Sequence, residues 1–461
     1  MAIVNFCLTS LLVFCSLFAV HSQVENPESQ LLREAVTSLE KGIAFFYSIN
    51  IDGGYVYHYT LDLSEKWGEG KTDDRTIEVQ PPGTPSVGMS FLQAYRVTSN
   101  SDFLMAATDA ARALIRGQNE LGGWEHKIYL DQPNGERVSF DDDQTQSAIR
   151  FLMELDKEID DQELTTSIKE ALMMMQRAQM ENGGWPQVYP AKGNYRDYAT
   201  FNDGCINDCI RVMMQAHRQY GNEEYLESLK KAGDFILISQ RSAPQAGWAQ
   251  QYDENLEPAW ARSFEPPAVC PSTSVHNMES LLDLYLYTGN ETYLEAIPNA
   301  VQWLEASTLP DGTWGRFLEL GTNKPLYYNR GRVQVNSLGE LSKERRTGYR
   351  YHVDMSKPLE TLKQRFQEIK LSKLETFPFK PYNLYTDYQE QNPEALKRKV
   401  KKIIASQDDQ GRWLVHNDRF RKLVPGEKWD GTYREEDRIS SRLFNRNVEI
   451  LCQFLELYQD L

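Results

Sequence analysis

Cysteine is scarce in this chain. It has six, and two of them, Cys7 and Cys15, fall in the apolar N-terminal stretch; the others are Cys205, Cys209, Cys270 and Cys452. Four cysteines cannot staple a chain of 461 residues, so the fold must rest on a buried apolar core. Cys205 and Cys209 stand four apart and would share a helix face. Buried free thiols are the expectation, with one disulfide after export as the alternative. No Cys/His spacing of the zinc-binding kind occurs. Positive charge is also in deficit, 50 Lys and Arg against 66 Asp and Glu, a formal net charge of −16. That balance argues against non-specific nucleic-acid binding. It leaves room for a polyanionic substrate held by a local arginine cluster or a bound cation. Long apolar runs are missing after the first one, Ile3 to Val20, which small Ser22 follows. The layout is that of a secretory signal over residues 1–22, which implies a secreted or periplasmic protein with no membrane insertion once the signal is removed. A retained anchor is the alternative, because the segment lacks Lys and Arg at its start and is marginally long enough to span. No linker separates domains, so 23–461 reads as a single domain, expected as a monomer.

What the chain does have is a repeat. RGQNELGGW ends at Trp124 and RAQMENGGW at Trp185. Looser copies are IDGGY at Tyr55, SQRSAPQAGW at Trp248, STLPDGTW at Trp314 and SQDDQGRW at Trp413. The spacing stays at roughly 60 to 70 residues up to Trp314, which has room for two helices per unit. The last interval is longer, so an insertion lies between Trp314 and Trp413. Within the units, apolar residues recur at helical spacing over Asn222 to Gln240, Thr165 to Met180 and Thr292 to Thr308. A glycine pair ends a helix by permitting positive φ, and the tryptophan then packs back on the core. Strand-like alternation is scarce, although Gly321 to Val335 fits a hairpin. The pattern predicts an all-α protein, an α/α toroid or incomplete α/α barrel of repeated helix pairs with short β-hairpin insertions.

The tryptophans serve as a ruler. Eighteen residues after Trp124 comes Asp142, in SFDDDQ; eighteen after Trp185 comes Asp203, in TFNDG. An acid at a helix start is commonly only a cap or dipole partner. Two at matched positions, with Asp141 and Asp143 alongside, make a cluster that repels itself unless protonated or bridged by a cation. Oxygen ligands of this kind suit Ca²⁺, in a site completed by substrate because the spacing is not an EF-hand. Further on, charged and aromatic residues crowd together: Arg262 and Glu265, then Arg316, Lys324 and Arg330, then Lys343, Arg345, Arg346, Tyr349, Arg350 and His352. Arginine forks bind carboxylates, and a tyrosine face can stack on a sugar ring. Surface ion pairing explains such residues equally well. The run Lys397 to Lys402 reads as a solvated helix face.

Five strings together, GGWPQVYP (183–190), TFNDG (200–204), ARSFEPP (261–267), RFLELGTNKPLYYNR (316–330) and ERRTGYRYH (344–352), resemble the family 10 polysaccharide lyases, pectate lyases with an α/α toroid fold. The resemblance covers most of the chain after the signal. It implies cleavage of α-1,4-linked polygalacturonate by β-elimination, with Ca²⁺ and arginines neutralising the uronate carboxylate. By the same resemblance, Asp142 and Asp203 match the calcium-associated aspartates. An arginine of ERRTGY, Arg346 ahead of Arg345, matches the base; Arg262 and Arg330, with Lys324 and Tyr349, match substrate ligands. Free arginine stays protonated at ordinary pH, so such a base implies an alkaline optimum. Two departures stand out: FDDDQ offers three acids, which leaves the metal-binding one open, and NRGR lacks an acid after Arg330. Competing readings are a toroid terpene cyclase, a toroid glycoside hydrolase acting on uronic-acid sugars, and a non-catalytic binder of uronate polymers.

Overall fold

A computed structural model describes residues 27–371, 392–421 and 432–458. The signal segment 1–22 lies outside them, and no described helix is long and apolar enough to cross a membrane. The chain begins with helix α1 (Pro27–Ser48) and continues in pairs. These are α2 (Thr84–Thr98) with α3 (Ser101–Gly117), α4 (Gln144–Leu155) with α5 (Gln162–Ala178), and α6 (Cys205–Tyr220) with α7 (Glu223–Ser239). Next come α8 (Pro271–Thr288) with the broken helix α9 (Thr292–Glu295) and α10 (Ile297–Ala306). After short α11 (Lys343–Gly348), α12 (Ser356–Leu371) precedes α13 (Pro393–Ala405), and α14 (Ser441–Tyr458) ends the described chain.

The helices sort into two layers. In sequence around the ring, α14, α2, α4, α6, α8 and α12 pack side by side as the inner layer, and α3, α5, α7, α9/α10, α13 and α1 lie outside. α4 shows the difference: of its twelve residues only Glu154 escapes full burial. Outer α5 buries one stripe, Leu164, Ile168, Ala171, Leu172, Met175 and Ala178, at the three-and-four spacing of an amphipathic helix. Asn100, Asp161, Asn222 and Asn392 cap outer helices α3, α5, α7 and α13, each accepting from a backbone N–H of the first turn. The architecture is the expected α/α toroid. The sixth pair joins the two ends of the chain, inner α14 with outer α1.

Each joint of the ring is built from the repeated motif. The indoles of Trp124, Trp185, Trp248, Trp314 and Trp413 donate to the carbonyls of Leu114, Met175, Ile236, Leu304 and Ile403, near the end of the preceding outer helix. The motif glutamine, whose role the sequence did not reveal, reaches the next outer helix. Gln118 Nε2 donates to Gly122 and Ser167 carbonyls while its Oε1 accepts from Ser167 Oγ. Gln179 repeats the clasp with Gly183 and Ser228. Gln240 bonds Ala246 and Ala296, and Gln407 bonds Gly411 and Ser38. The last clasp closes the ring across 369 residues. Thr308 replaces the glutamine before Trp314, and the insertion follows that repeat.

Two expectations changed. Thr292 to Thr308 is not one helix, because Pro298 has no N–H and its ring excludes the preceding turn, so the helix restarts at Ile297. Leu414–Arg421 and Tyr433–Ser440 form a long antiparallel hairpin that also pairs with His58–Thr60. Its strands are masked in sequence by charges that pair across it, such as Arg438 with Asp418. The hairpin expected over Gly321 to Val335 forms at Tyr327–Asn329 and Val333–Val335. Among the described residues, Cys205, Cys209, Cys270 and Cys452 are buried and free.

The joint glycine is the most constrained position. Gly183 has φ +95, and a Cβ there would lie 2.1 Å from the Lys231 carbonyl oxygen of the next outer helix. Gly221, with φ +66, has nothing within 4 Å. Gly183→Ala should cost about 2–4 kcal/mol, and Gly221→Ala about 1 kcal/mol, in urea-unfolding measurements. Equal losses would show that the joint is not tight.

Candidate active site

Two loops bring the acids together. Phe140 and Phe201 are buried anchors whose N–H groups donate to the Gln187 and Gln250 carbonyls. Each anchor is followed by a single 3-10 turn, Asp141–Asp143 and Asn202–Gly204, packed against the other. Asp142 (φ 46, ψ 39) and Asp203 (φ 47, ψ 34) both adopt the left-handed conformation, which aspartate tolerates. The matched backbone gives the two carboxylates the same exit. One ligand oxygen each of Asp141, Asp142 and Asp203 falls within 4.8 Å of the others.

The triplet of acids therefore divides. Asp143 turns inward to Arg150, a guanidinium only 1% exposed. Asp141 and Asp142 face Asp203. Burial, then the Asp203, Asp141 and Glu69 charges, push the Asp142 carboxyl up to about 7. Burial also raises Asp141, with Asp203 adding to it against a hydrogen bond from Gln187 and the charges of Arg262 and Arg196. Asp141 Oδ1 is buried without a hydrogen-bond partner. Such a group of acids is electrostatically unfinished.

Beside the acids stands an arginine cluster assembled on two aromatic rings. Arg262, Arg330 and Arg345 lie 5.1, 5.1 and 3.9 Å from the Phe264 ring. Arg316, Arg345 and Arg262 lie 4.2, 5.4 and 5.9 Å from that of Tyr349. Stacking on rings holds guanidinium groups close while leaving their edges free. Two acids balance them. Buried Glu265 takes Arg262 in a fork, 2.8 and 2.6 Å, and accepts from Tyr349 Oη at 2.7 Å. Glu344 accepts from Arg330 and Arg345, each at 2.9 Å. Charge on Arg262 bears on both Asp203 and Asp141, so it stands at the seam between acids and arginines.

Six of the eight residues singled out from sequence thus gather in this region: Asp142, Asp203, Arg262, Arg330, Arg345 and Tyr349. Arg346 is exposed, one helical position away from buried Arg345. Lys324 stands apart, in an exposed turn whose Glu319 carbonyl and Asn323 side chain are tied to Gln245. Phe264, the platform of the cluster, was not anticipated; its only sequence signal is its place between Arg262 and Glu265.

A family model described as pectic acid lyase matches residues 125–313 and, in a second segment, 308–359, together about half of the chain. The chain belongs to the pectic acid lyase family. This lyase is similar in fold to the family 10 polysaccharide lyase from Cellvibrio cellulosa, at 21% identity and a TM-score of 0.51, over 62% of this chain and 97% of that one. An aspartate-to-alanine mutant of a family 10 polysaccharide lyase from the same organism, solved with trigalacturonic acid, aligns at 22% identity and a TM-score of 0.49, over 61% and 97% of the two chains. A search of the curated proteins returned no match. Asp141, Asp142, Asp203 and the arginine cluster lie inside the matched family segments, so the lyase carries its candidate site in its family portion.

A raised carboxyl pKa favours the folded state only while the group is protonated. For Asp142 that contribution is complete below its unfolded value near 3.8 and is lost as pH rises through about 7. Asp142→Asn removes the ionised form. Without divalent cations it should therefore be more stable than the parent at pH 8, by about 2 kcal/mol after allowance for solvent screening, with the gap closing toward pH 4. Calorimetry in EDTA at both pH values measures it; a destabilised variant at pH 8 would refute the repulsion.

Proposed function

We propose that this polysaccharide lyase cleaves α-1,4-linked polygalacturonate by β-elimination, with a calcium ion at Asp142, Asp203 and Asp141. The observation that carries this reading is the juxtaposition of an unneutralised acid triad with the Arg262 cluster. The donor set fits the ion: hard carboxylate oxygens, one of them buried without a partner, and too few to complete a coordination sphere without water or substrate. Calcium bound there would neutralise a uronate carboxylate, acidify the C5 proton and replace a negative field at Arg262 with a positive one.

The residues of the chain divide the remaining work. Arg330 offers a guanidinium edge to a uronate carboxylate, while buried Arg345, stacked on Phe264 and near Tyr349, shares Glu344 with it and holds it in place. For the base, position favours Arg262 over Arg345 and Arg346. Arg262 borders the acids and its Nη1 carries no protein hydrogen bond; the Glu265 fork on Nε and Nη2 holds its pKa above the ordinary guanidinium value, which the field of a bound cation has to offset. Arg345 is wedged on Phe264, and Arg346 is exposed. In its neutral form Arg262 accepts the C5 proton; the C5–H electrons form the C4–C5 double bond, and the glycosidic oxygen leaves C4 and takes a proton from solvent. Because a guanidinium must first lose a proton, the rate should climb into the alkaline range.

The unsaturated product absorbs ultraviolet light, whereas hydrolysis yields reducing ends without that signal. Polygalacturonate with calcium should give growing absorbance that EDTA abolishes. Reducing ends without absorbance would support the hydrolase reading, and an EDTA-insensitive rate would remove the calcium. Arg262→Lys should lower kcat by about 10²–10⁴, the range for losing a proton-transfer group, while Arg346→Ala should change it less than about tenfold. The reverse ranking would return the base to the ERRTGY helix.

A further inference from the structure

The tryptophan ruler marks a second set of matched positions, two residues after each tryptophan. They carry His126, Gln187 and Gln250 in three successive repeats. Their backbones are equivalent, since the carbonyls of His126, Gln187 and Gln250 accept from Val79, Phe140 and Phe201 in the same register. Two residues beyond those donors come Pro81, Asp142 and Asp203. The second and third repeats therefore place an acid beside a glutamine at the mouth of the ring. The first places Pro81 beside His126 and contributes no acid. The charge of His126 bears on Asp142, whereas that of Arg262 bears on Asp141 and Asp203, so the acids stand between the two.

His126 is held against a buried carboxylate rather than left as a spacer. Its Nε2 lies 2.8 Å from Oε2 of Glu78, a carboxylate with 0% exposure, whose other oxygen is 3.1 Å from Lys127 Nζ. Tyr57 Oη lies 3.3 Å from the same Nε2. The ring is thereby fixed through one nitrogen, and Nδ1 is left with exposed Glu69 at 3.9 Å. Burial works against a charge on His126, but the nearby Glu78 carboxylate, with Glu69 adding to it, outweighs it and holds the pKa above its usual value. The charge of His126 is felt at Asp142. A buried carboxylate that orients a partly exposed histidine beside a cluster of acids is an arrangement for contacting a ligand bound to that cluster.

We propose that His126 forms a further substrate subsite, donating through Nδ1 to a galacturonate unit on the flank of the acid triad opposite Arg262, with Glu78 as its positioning residue. The proposal rests on the polygalacturonate reading above. A chain bound this way runs across the mouth from the arginines, past the acids, to the first repeat, so only oligomers long enough to span it gain from His126.

The test is calorimetric binding of trigalacturonate and hexagalacturonate with calcium, using full-length Arg262→Lys protein as the parent so that cleavage does not intervene. His126→Gln carries the residue that two other repeats accept at this place, and melting curves check that the fold is kept. Added to the parent, it should weaken hexagalacturonate about tenfold and trigalacturonate less than about threefold, as loss of one charge-assisted hydrogen bond predicts. Glu78→Gln should reproduce that length dependence, which a merely structural role would not produce. Equal weakening of both oligomers, or none, overturns the subsite. If the parent binds neither oligomer, the polygalacturonate reading falls and the subsite with it; if trigalacturonate binding stays while the hexamer shows no selective loss, only the subsite falls.

Discussion

The rest of the molecule depends on how one helix pair is fastened to the next. An outer helix ends; its loop turns through a glycine with positive φ; an indole ties the loop back to the helix it left, and a glutamine ties it forward to the following outer helix. The glutamine amide is satisfied on both its oxygen and its nitrogen in the Gln118, Gln179 and Gln407 clasps, so burying it leaves little unpaired polarity. At Gly122, Gly183 and Gly411 the glycine is required because the next helix backbone occupies the space a Cβ would need. Since the same joint recurs, successive loops leave the ring at one height and in one orientation. This is why Asp142 and Asp203, sixty-odd residues apart, arrive at one place with the same backbone conformation.

The site uses charge in two opposite states. The arginines have rings beneath them, and Glu265 and Glu344 neutralise Arg262, Arg330 and Arg345, although Arg345 Nε and Nη1 stay buried without a partner. The acids are not neutralised, and burial with mutual repulsion raises the Asp142 carboxyl. An arrangement that is unfavourable by itself persists where the surrounding structure enforces it and a ligand relieves it. Here the enforcement is the two phenylalanine anchors and the pairing of the loops. Arg262 links the two halves, held by Glu265 on one side and within the field of the acids on the other.

Much of this was legible in the sequence. The repeat predicted the helix pairs and the toroid, and counting from its tryptophans found Asp142 and Asp203. The tryptophans proved to be core and tether, as expected of a helix-stop device. Illegible features were those decided at a distance. Three consecutive aspartates look alike in a string, yet left-handed turns at Asp142 and Asp143 send Asp141 and Asp142 to Asp203 and send Asp143 to Arg150. Arg345 and Arg346 are neighbours in sequence, but on a helix neighbours point about 100° apart, so one is buried and the other exposed. Lys324 shares a motif with Arg330 but sits in an exposed turn that Glu319 and Asn323 tie to Gln245.

The sequence by itself determined what local rules govern: where helices start and stop, which face of each is apolar, which turns need glycine, and that the units repeat. These follow from backbone sterics and from periods of a few residues. The tertiary structure alone decided which side chains meet, because those meetings are set by ring closure and by loops packed across dozens to hundreds of residues. Gln407 on Ser38, Asp142 opposite Asp203, and four arginines on Phe264 and Tyr349 are facts of that closure. The chemistry therefore belongs to contacts that no single stretch of sequence contains.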